Sequence, residues 1–359
     1  MFSRLNGQGM SLAVTLTASL MLGGDALAST INQNTSWTID RAGTTTKYRV
    51  VAYGDSIFAG YNGALWSVAK RAAPLVEGEY LSKDFNADIE VVRRTKSGAR
   101  ADDIYNNKII YERSYMQASN TRVVMFEMCG NDYLQARSAF TDQTGTCSYA
   151  GLDSALSNCT YYMEKAMQAI NTYATAAKAK IIMNIYYPGY DADNVLTSCT
   201  DSTTGTKVNK RAKFLPYLAK SNWRACSLAA KYGFQCADSF AEYMGADYDT
   251  NADGKIDSDA LRYIPGETEA AYVTRITSTL AGTLRDSNTH FATSSTSYDY
   301  LQSDNTHPTY YGGTIGTGTG SGSPTFSDSQ VLNGKNPEWN KTGHERAGWL
   351  MSLMDPATP

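Results

Sequence analysis

Histidine is nearly absent: three occur in 359 residues, His290, His307 and His344. A metal enzyme built on several imidazoles is thereby excluded, and any histidine chemistry has very few candidates. Surplus positive charge is also lacking. Lys and Arg total 32 against 35 Asp and Glu, for a formal net charge of −3. Such a chain has no basic surface with which to displace counterions from nucleic acid, so a general nucleic-acid binder is excluded. Long apolar runs are missing after residue 28, and no internal repeat is found. What remains is globular composition, 42% hydrophobic and 19% charged, with material for one large or two modest domains.

Arg4 precedes an apolar run from Leu12 to Leu22, and Ala26-Leu27-Ala28 offers small residues at a cleavage point. Residues 1–28 therefore read as a signal peptide, since the run is too short to span about 30 Å of hydrocarbon. No cysteine follows the site, so a lipoprotein is not suggested. Residues 29–359 are expected to form a single domain, exported to the periplasm or the medium. Six cysteines (129, 147, 159, 199, 226 and 236) suit an oxidising compartment. Cys147 and Cys159 flank a short polar loop and are the favoured disulfide; Cys199 would then join Cys226 or Cys236. Cys129 ends an apolar segment and reads as a small buried hydrophobe.

Short apolar runs alternate with helical stretches. Residues 47–53, 89–93, 122–128 and 181–187 read as strands, with 233–237 as a weaker fifth. Residues 156–173 and 210–232 carry apolar positions at helical spacing. Strands alternating with helices imply crossover connections, hence a parallel sheet with helices on both faces. The fold class is α/β.

Polar residues recur where strands end. The first strand runs into Gly54-Asp55-Ser56, the second ends before Ser97-Gly98-Ala99, and the third runs into Gly130-Asn131-Asp132. Ligands of parallel sheets bind at the carboxyl ends of strands, so a serine, a backbone N–H and an asparagine amide at those ends can face one substrate. Near the C-terminus, Asp304 stands three residues before His307. That spacing lets a carboxylate orient an imidazole whose other nitrogen faces a serine. Taken singly, each segment is an ordinary turn; their order along the chain is the signal.

These residues resemble the SGNH (GDSL) hydrolases, whose motif blocks they match in order over roughly residues 48–354. Gly54-Asp55-Ser56 is similar to the nucleophile block, Gly98 to the second-block glycine, Gly130-Asn131-Asp132 to the asparagine block, and Asp304 with His307 to the acid–base block. The resemblance implies a flavodoxin-like three-layer α/β/α sandwich and a secreted esterase or lipase with no organic or redox cofactor. It assigns Ser56, Asp304 and His307 to catalysis, and Ser56, Gly98 and Asn131 to an oxyanion hole. Lipid or short-chain esters are the first substrate class and polysaccharide O-acetyl esters the second. A catalytically silent, calcium-stabilised envelope-binding protein is the alternative of another class. In one respect the chain departs from the family: about 30 residues separate His307-Pro308 from Gly343-His344, read as an insertion at 310–339 beside the site. His344 is thus a competing base, with His307 preferred because Asp304 can orient it. His290 reads as a surface residue. Tyr61, Trp66, Tyr133, Tyr310 and Tyr311 lie near the blocks, as pocket lining or ordinary packing.

Residues 247–260 are dense in carboxylates. Asp249, Asn251, Asp253, Lys255 and Asp257 with Asp259 follow an EF-hand loop, Gly254 supplying the sharp turn. Position twelve, which should be a bidentate carboxylate, is Ala260. The expected role is a structural Ca²⁺ site, against the alternative of a solvated acidic loop.

Overall fold

The computed structural model describes residues 31–41, 43–63, 68–186, 193–244, 259–280, 300–302, 304, 306–310 and 342–359. The signal-peptide segment, His290, Trp66, Tyr311, the loop from Asp249 to Asp257 and residues 311–339 lie outside these.

Two short strands, β1 (Ile31–Asn32) and β2 (Thr35–Ile39), precede β3 (Lys47–Gly54). Then come α1 (Ser56–Ala59), α2 (Ala73–Phe85), β4 (Asp88–Ser97) and α3 (Ala101–Asp103), which continues as a π-helix to Ile110. Next are β5 (Thr121–Phe126), α4 (Gly130–Thr141), β6 (Gly145–Thr146), α5 (Ala150–Tyr173) and β7 (Ala179–Met183). The chain proceeds through β8 (Leu196–Thr200), β9 (Lys207–Asn209), α6 (Lys210–Tyr232), β10 (Gln235–Ala237) and α7 (Ser239–Met244). It closes with α8 (Glu269–Leu280) and α9 (Gly343–Ser352).

Five strands pair in parallel in the order β4-β3-β5-β7-β10, while β1 and β2 add antiparallel to β4. Counting only the parallel strands, the order is second, first, third, fourth, fifth, a doubly wound arrangement. The side chains of each central strand alternate between two cores, as a two-residue period requires. Val51, Tyr53, Val124, Phe126 and Ile182 pack on one face with α5, α6 and α8. Val50, Ala52, Val123, Met125 and Ile181 pack on the other with α2 and α9. Both faces are covered, which is why these strands read as continuous apolar runs and not as alternating ones. The layers are therefore helix, sheet, helix.

α6 spans the residues its sequence pattern marks. Asn209 accepts from the Ala212 N–H at the start, and Gly233 closes the end in the left-handed conformation. α9 starts with a reciprocal capping box between Thr342 and Glu345. It packs closely on α2, where a Cβ at Gly348 would stand 2.4 Å from the Val76 Cβ.

The disulfides differ from expectation. Cys147 bonds Cys199, with Cα atoms 5.0 Å apart, and Cys226 bonds Cys236 at 5.1 Å. Cys159 is not the partner of Cys147, because α5 starts at Ala150 and turns Cys159 into the core at 0% exposure. Pairing of β6 with β8 brings Cys147 to Cys199 instead. Cys129 and Cys159 are both free and buried, and burial pushes the Cys129 thiol up to about 11. Among the described residues, no helix is long and apolar enough to cross a membrane.

Candidate active site

β3 and β5 pair side by side, but the chain leaves β3 for β4 on one side and β5 for β7 on the other, so a crevice opens beyond their carboxyl ends at the reversal of strand order. β3 ends at Gly54 and the chain turns at once into α1. Asp55 caps this one-turn helix, its Oδ1 accepting from the Ile57 N–H at 2.8 Å. Ser56 thereby becomes the first helical residue at the floor of the crevice. It is 8% exposed, less open than a serine on a free strand end, because the acid–base loop lies across it. Buried Arg93 holds the other end of α1, donating to the carbonyls of Ala59 at 3.1 Å and Ala69 at 2.9 Å.

His307 arrives from a distant loop. Gln302 N donates to His307 O at 2.8 Å and Thr309 N to Tyr300 O at 2.9 Å, closing a tight turn. Inside it, Asp304 Oδ1 accepts from the N–H groups of Thr306 and His307, each at 3.0 Å. Asp304 Oδ2 lies 2.6 Å from His307 Nδ1, and His307 Nε2 lies 2.9 Å from Ser56 Oγ. Burial pushes the Asp304 carboxyl up, but hydrogen bonds and charge from His307 outweigh it, and the group lies below its ordinary value. An ionised Asp304 assigns the Nδ1–H tautomer, which leaves Nε2 free to accept the serine proton. The Tyr61 ring covers the imidazole, with centroids 4.2 Å apart. Tyr186 Oη donates to the Thr306 carbonyl at 2.5 Å, bracing the loop from below.

His344 stands elsewhere. It is 0% exposed, and its Nδ1 accepts from the Ala73 N–H at 3.3 Å, at the start of α2. Burial, with the charges of Arg93 and His307, pushes it down to about 3, so it stays neutral.

Asn131 opens α4 beside Ser56, but its amide is committed. Nδ2 donates to Asp55 Oδ2 at 2.9 Å and to the Ala99 carbonyl at 3.0 Å. An amide directed freely at substrate is therefore not what the structure holds: both hydrogens take the nearest acceptors. Gly98 has φ +76 at the end of β4, a left-handed conformation suited to glycine. Tyr133 is core, packed edge-on to Phe214. Tyr310 Oη reaches the Asn62 carbonyl at 3.4 Å.

Beside Ser56 a narrow cleft is lined by Ile57, Leu134, Met183, Ile185 and Tyr186, with Asp55, Glu127 and Asn131 at its polar end. Glu127 is a residue that sequence reasoning passed over. Its signal was there: a carboxylate inside the apolar run Val123-Val124-Met125-Phe126-Glu127-Met128.

No family model matches the chain, and no curated protein does. Solved structures similar to it include a lipase from a goat rumen metagenome, 16% identical over 66% of this chain and 98% of that one, TM-score 0.41. A phospholipase A1 from Streptomyces albidoflavus is 18% identical over 55% and 82%, TM-score 0.38. An acetylxylan esterase from Geobacillus stearothermophilus is 14% identical over 56% and 80%, TM-score 0.34.

Of the expected metal set, Asp259 alone is described. It is exposed, and its Oδ1 faces Arg262 Nε at 3.4 Å.

Proposed function

We propose that this chain is a serine ester hydrolase of the SGNH type that cleaves carboxylic esters through an acyl-serine. One observation carries the reading: the unbroken hydrogen-bonded path from Asp304 through His307 to Ser56 Oγ at a sheet switch point. A serine alone is a weak nucleophile; a base at hydrogen-bond distance, itself oriented by a carboxylate, activates it.

In this mechanism His307 Nε2 takes the Ser56 proton as Oγ attacks the ester carbonyl carbon. The carbonyl oxygen becomes an oxyanion and meets the backbone N–H groups of Ser56 and Gly98, each such donor being worth about 3 kcal/mol in the transition state. Asn131 joins them only by exchanging its bond to Ala99. The imidazolium, stabilised by Asp304, protonates the departing alcohol oxygen. Water deprotonated by the same nitrogen then releases the acid and restores Ser56.

The apolar lining of the cleft suits the acyl part of a lipid or short-chain ester, with acetylated polysaccharide as the second class. A silent binding protein would have no need of the complete proton path. Two disulfides fit export to an oxidising compartment. The test is hydrolysis of p-nitrophenyl esters of increasing acyl length, with acetylated xylan alongside, by the wild type and Ser56→Ala. The expected result is activity on the acyl esters that Ser56→Ala lowers by about 10³-fold or more. Wild-type activity confined to acetylated xylan would replace the substrate class, and unimpaired Ser56→Ala would sink the serine mechanism.

A further inference from the structure

Beneath the nucleophile turn, two carboxyl groups meet. Asp55 and Glu127 are 1% and 4% exposed, and each carboxyl group lies close enough to bias the other's protonation. Glu127 Oε1 accepts from the Asp55 N–H at 2.6 Å. The Glu127 N–H donates to the Tyr53 carbonyl at 3.1 Å. One side chain from the end of β5 thus holds the backbone immediately before Ser56. The contact is close: a Cβ at Gly54 would lie 2.3 Å from Glu127 Oε1, so this carboxyl leaves room only for glycine there.

We propose that Glu127 is a positioning residue: its carboxyl group, paired with that of Asp55, clamps the turn that presents Ser56 to His307. The inference rests on the hydrolase reading above.

Two neighbouring carboxylates buried together cannot both be ionised without severe repulsion, so the pair holds one proton. Burial raises both groups, Glu127 well above its ordinary value, where the Asp55 charge adds to the effect. Asp55 already accepts from the Ile57 N–H and the Asn131 amide, which favours its charged form. The proton therefore rests on Glu127 and is donated to Asp55 as a third hydrogen bond. The other titratable groups facing the pair are Tyr186, the Cys129 thiol and His307. The first two stay neutral through burial, and a protonated His307 favours the charged Asp55. Loss of the shared proton at alkaline pH would place two negative charges under Ser56 and push the turn apart. A glutamine at 127 keeps an acceptor for the backbone and a donor for Asp55, yet has no proton to lose.

The experiment compares full-length wild type, Glu127→Ala and Glu127→Gln for kcat and KM on a p-nitrophenyl ester from acid to alkaline pH. Glu127→Ala is expected to lose about 100-fold in kcat with little change in KM, the scale of a small misplacement of reacting atoms. Glu127→Gln should recover most of that loss and lack the alkaline decline of wild type. A purely structural residue would change thermal midpoint and active fraction but leave the pH profile in place. Glu127→Ala within about threefold of wild-type kcat, or a Glu127→Gln profile superimposable on wild type, would overturn the proposal. If wild type neither hydrolyses esters nor takes a fluorophosphonate on Ser56, the hydrolase reading fails by itself. The pair is then judged by infrared difference spectra at neutral pH. A protonated carboxyl band lost in Glu127→Gln supports it, and identical spectra refute it.

Discussion

Ser56 and His307 are 251 residues apart in the chain, and their side chains meet at 2.9 Å across the end of β3. The proton path is therefore a product of tertiary structure, and its members should behave as a unit.

Single substitutions Ser56→Ala and His307→Ala are each expected to cost at least about 10³-fold in kcat/KM, and the double variant little more than either. Steady-state kinetics on one acyl ester tests this. Additive losses in the double variant would mean that the two residues do not share a step.

His344 should govern acid stability and not the chemistry. Its folded-state value is depressed to about 3 from an ordinary 6.5, first by burial. Between those pH values the unfolded chain binds a proton that the folded chain refuses, so stability falls as pH drops from 6.5 toward 3 and is unaffected above it. The slope from this one group is at most about 1.4 kcal/mol per pH unit. His344→Asn keeps an acceptor for the Ala73 N–H and should flatten the slope in urea unfolding at neutral and acid pH. Equal slopes in both proteins would refute the assignment.

The two disulfides should differ in worth. Cys147–Cys199 closes 52 residues and Cys226–Cys236 closes 10. Constraint of the unfolded chain predicts about 4 kcal/mol for the first and about 3 for the second. Paired Cys→Ser variants compared by denaturant unfolding should show the longer loop costing more; the reverse order would point to native-state strain.

Calcium is expected to raise the thermal midpoint through the loop from Asp249 to Asp257, with kcat unchanged. A ligand of the folded state alone adds about 2.7 kcal/mol at a hundredfold excess over its Kd. Melting in EDTA and in millimolar Ca²⁺ measures it. An unchanged midpoint would mean that Ala260 has disabled the loop; lost activity in EDTA would bring a metal into the mechanism.

Much of this architecture was legible in the chain itself. Val/Ile-rich runs near residues 50, 124 and 181 read as strands buried on both faces, and Lys210–Tyr232 carries its own cap signals at Asn209 and Gly233. The short-range order Asp304-x-x-His307 is likewise local, since a turn of that length places carboxylate and ring together. Other features depend on distances that no local pattern encodes. Whether His307 or His344 reaches Ser56, which cysteine meets Cys147, and where the Asn131 amide points were decided by strand order and by helix faces turned toward the core. Glu127 is the clearest case. In the sequence it is one charge in an apolar run; under the β3 turn, buried beside Asp55, it becomes the partner of a second carboxyl group.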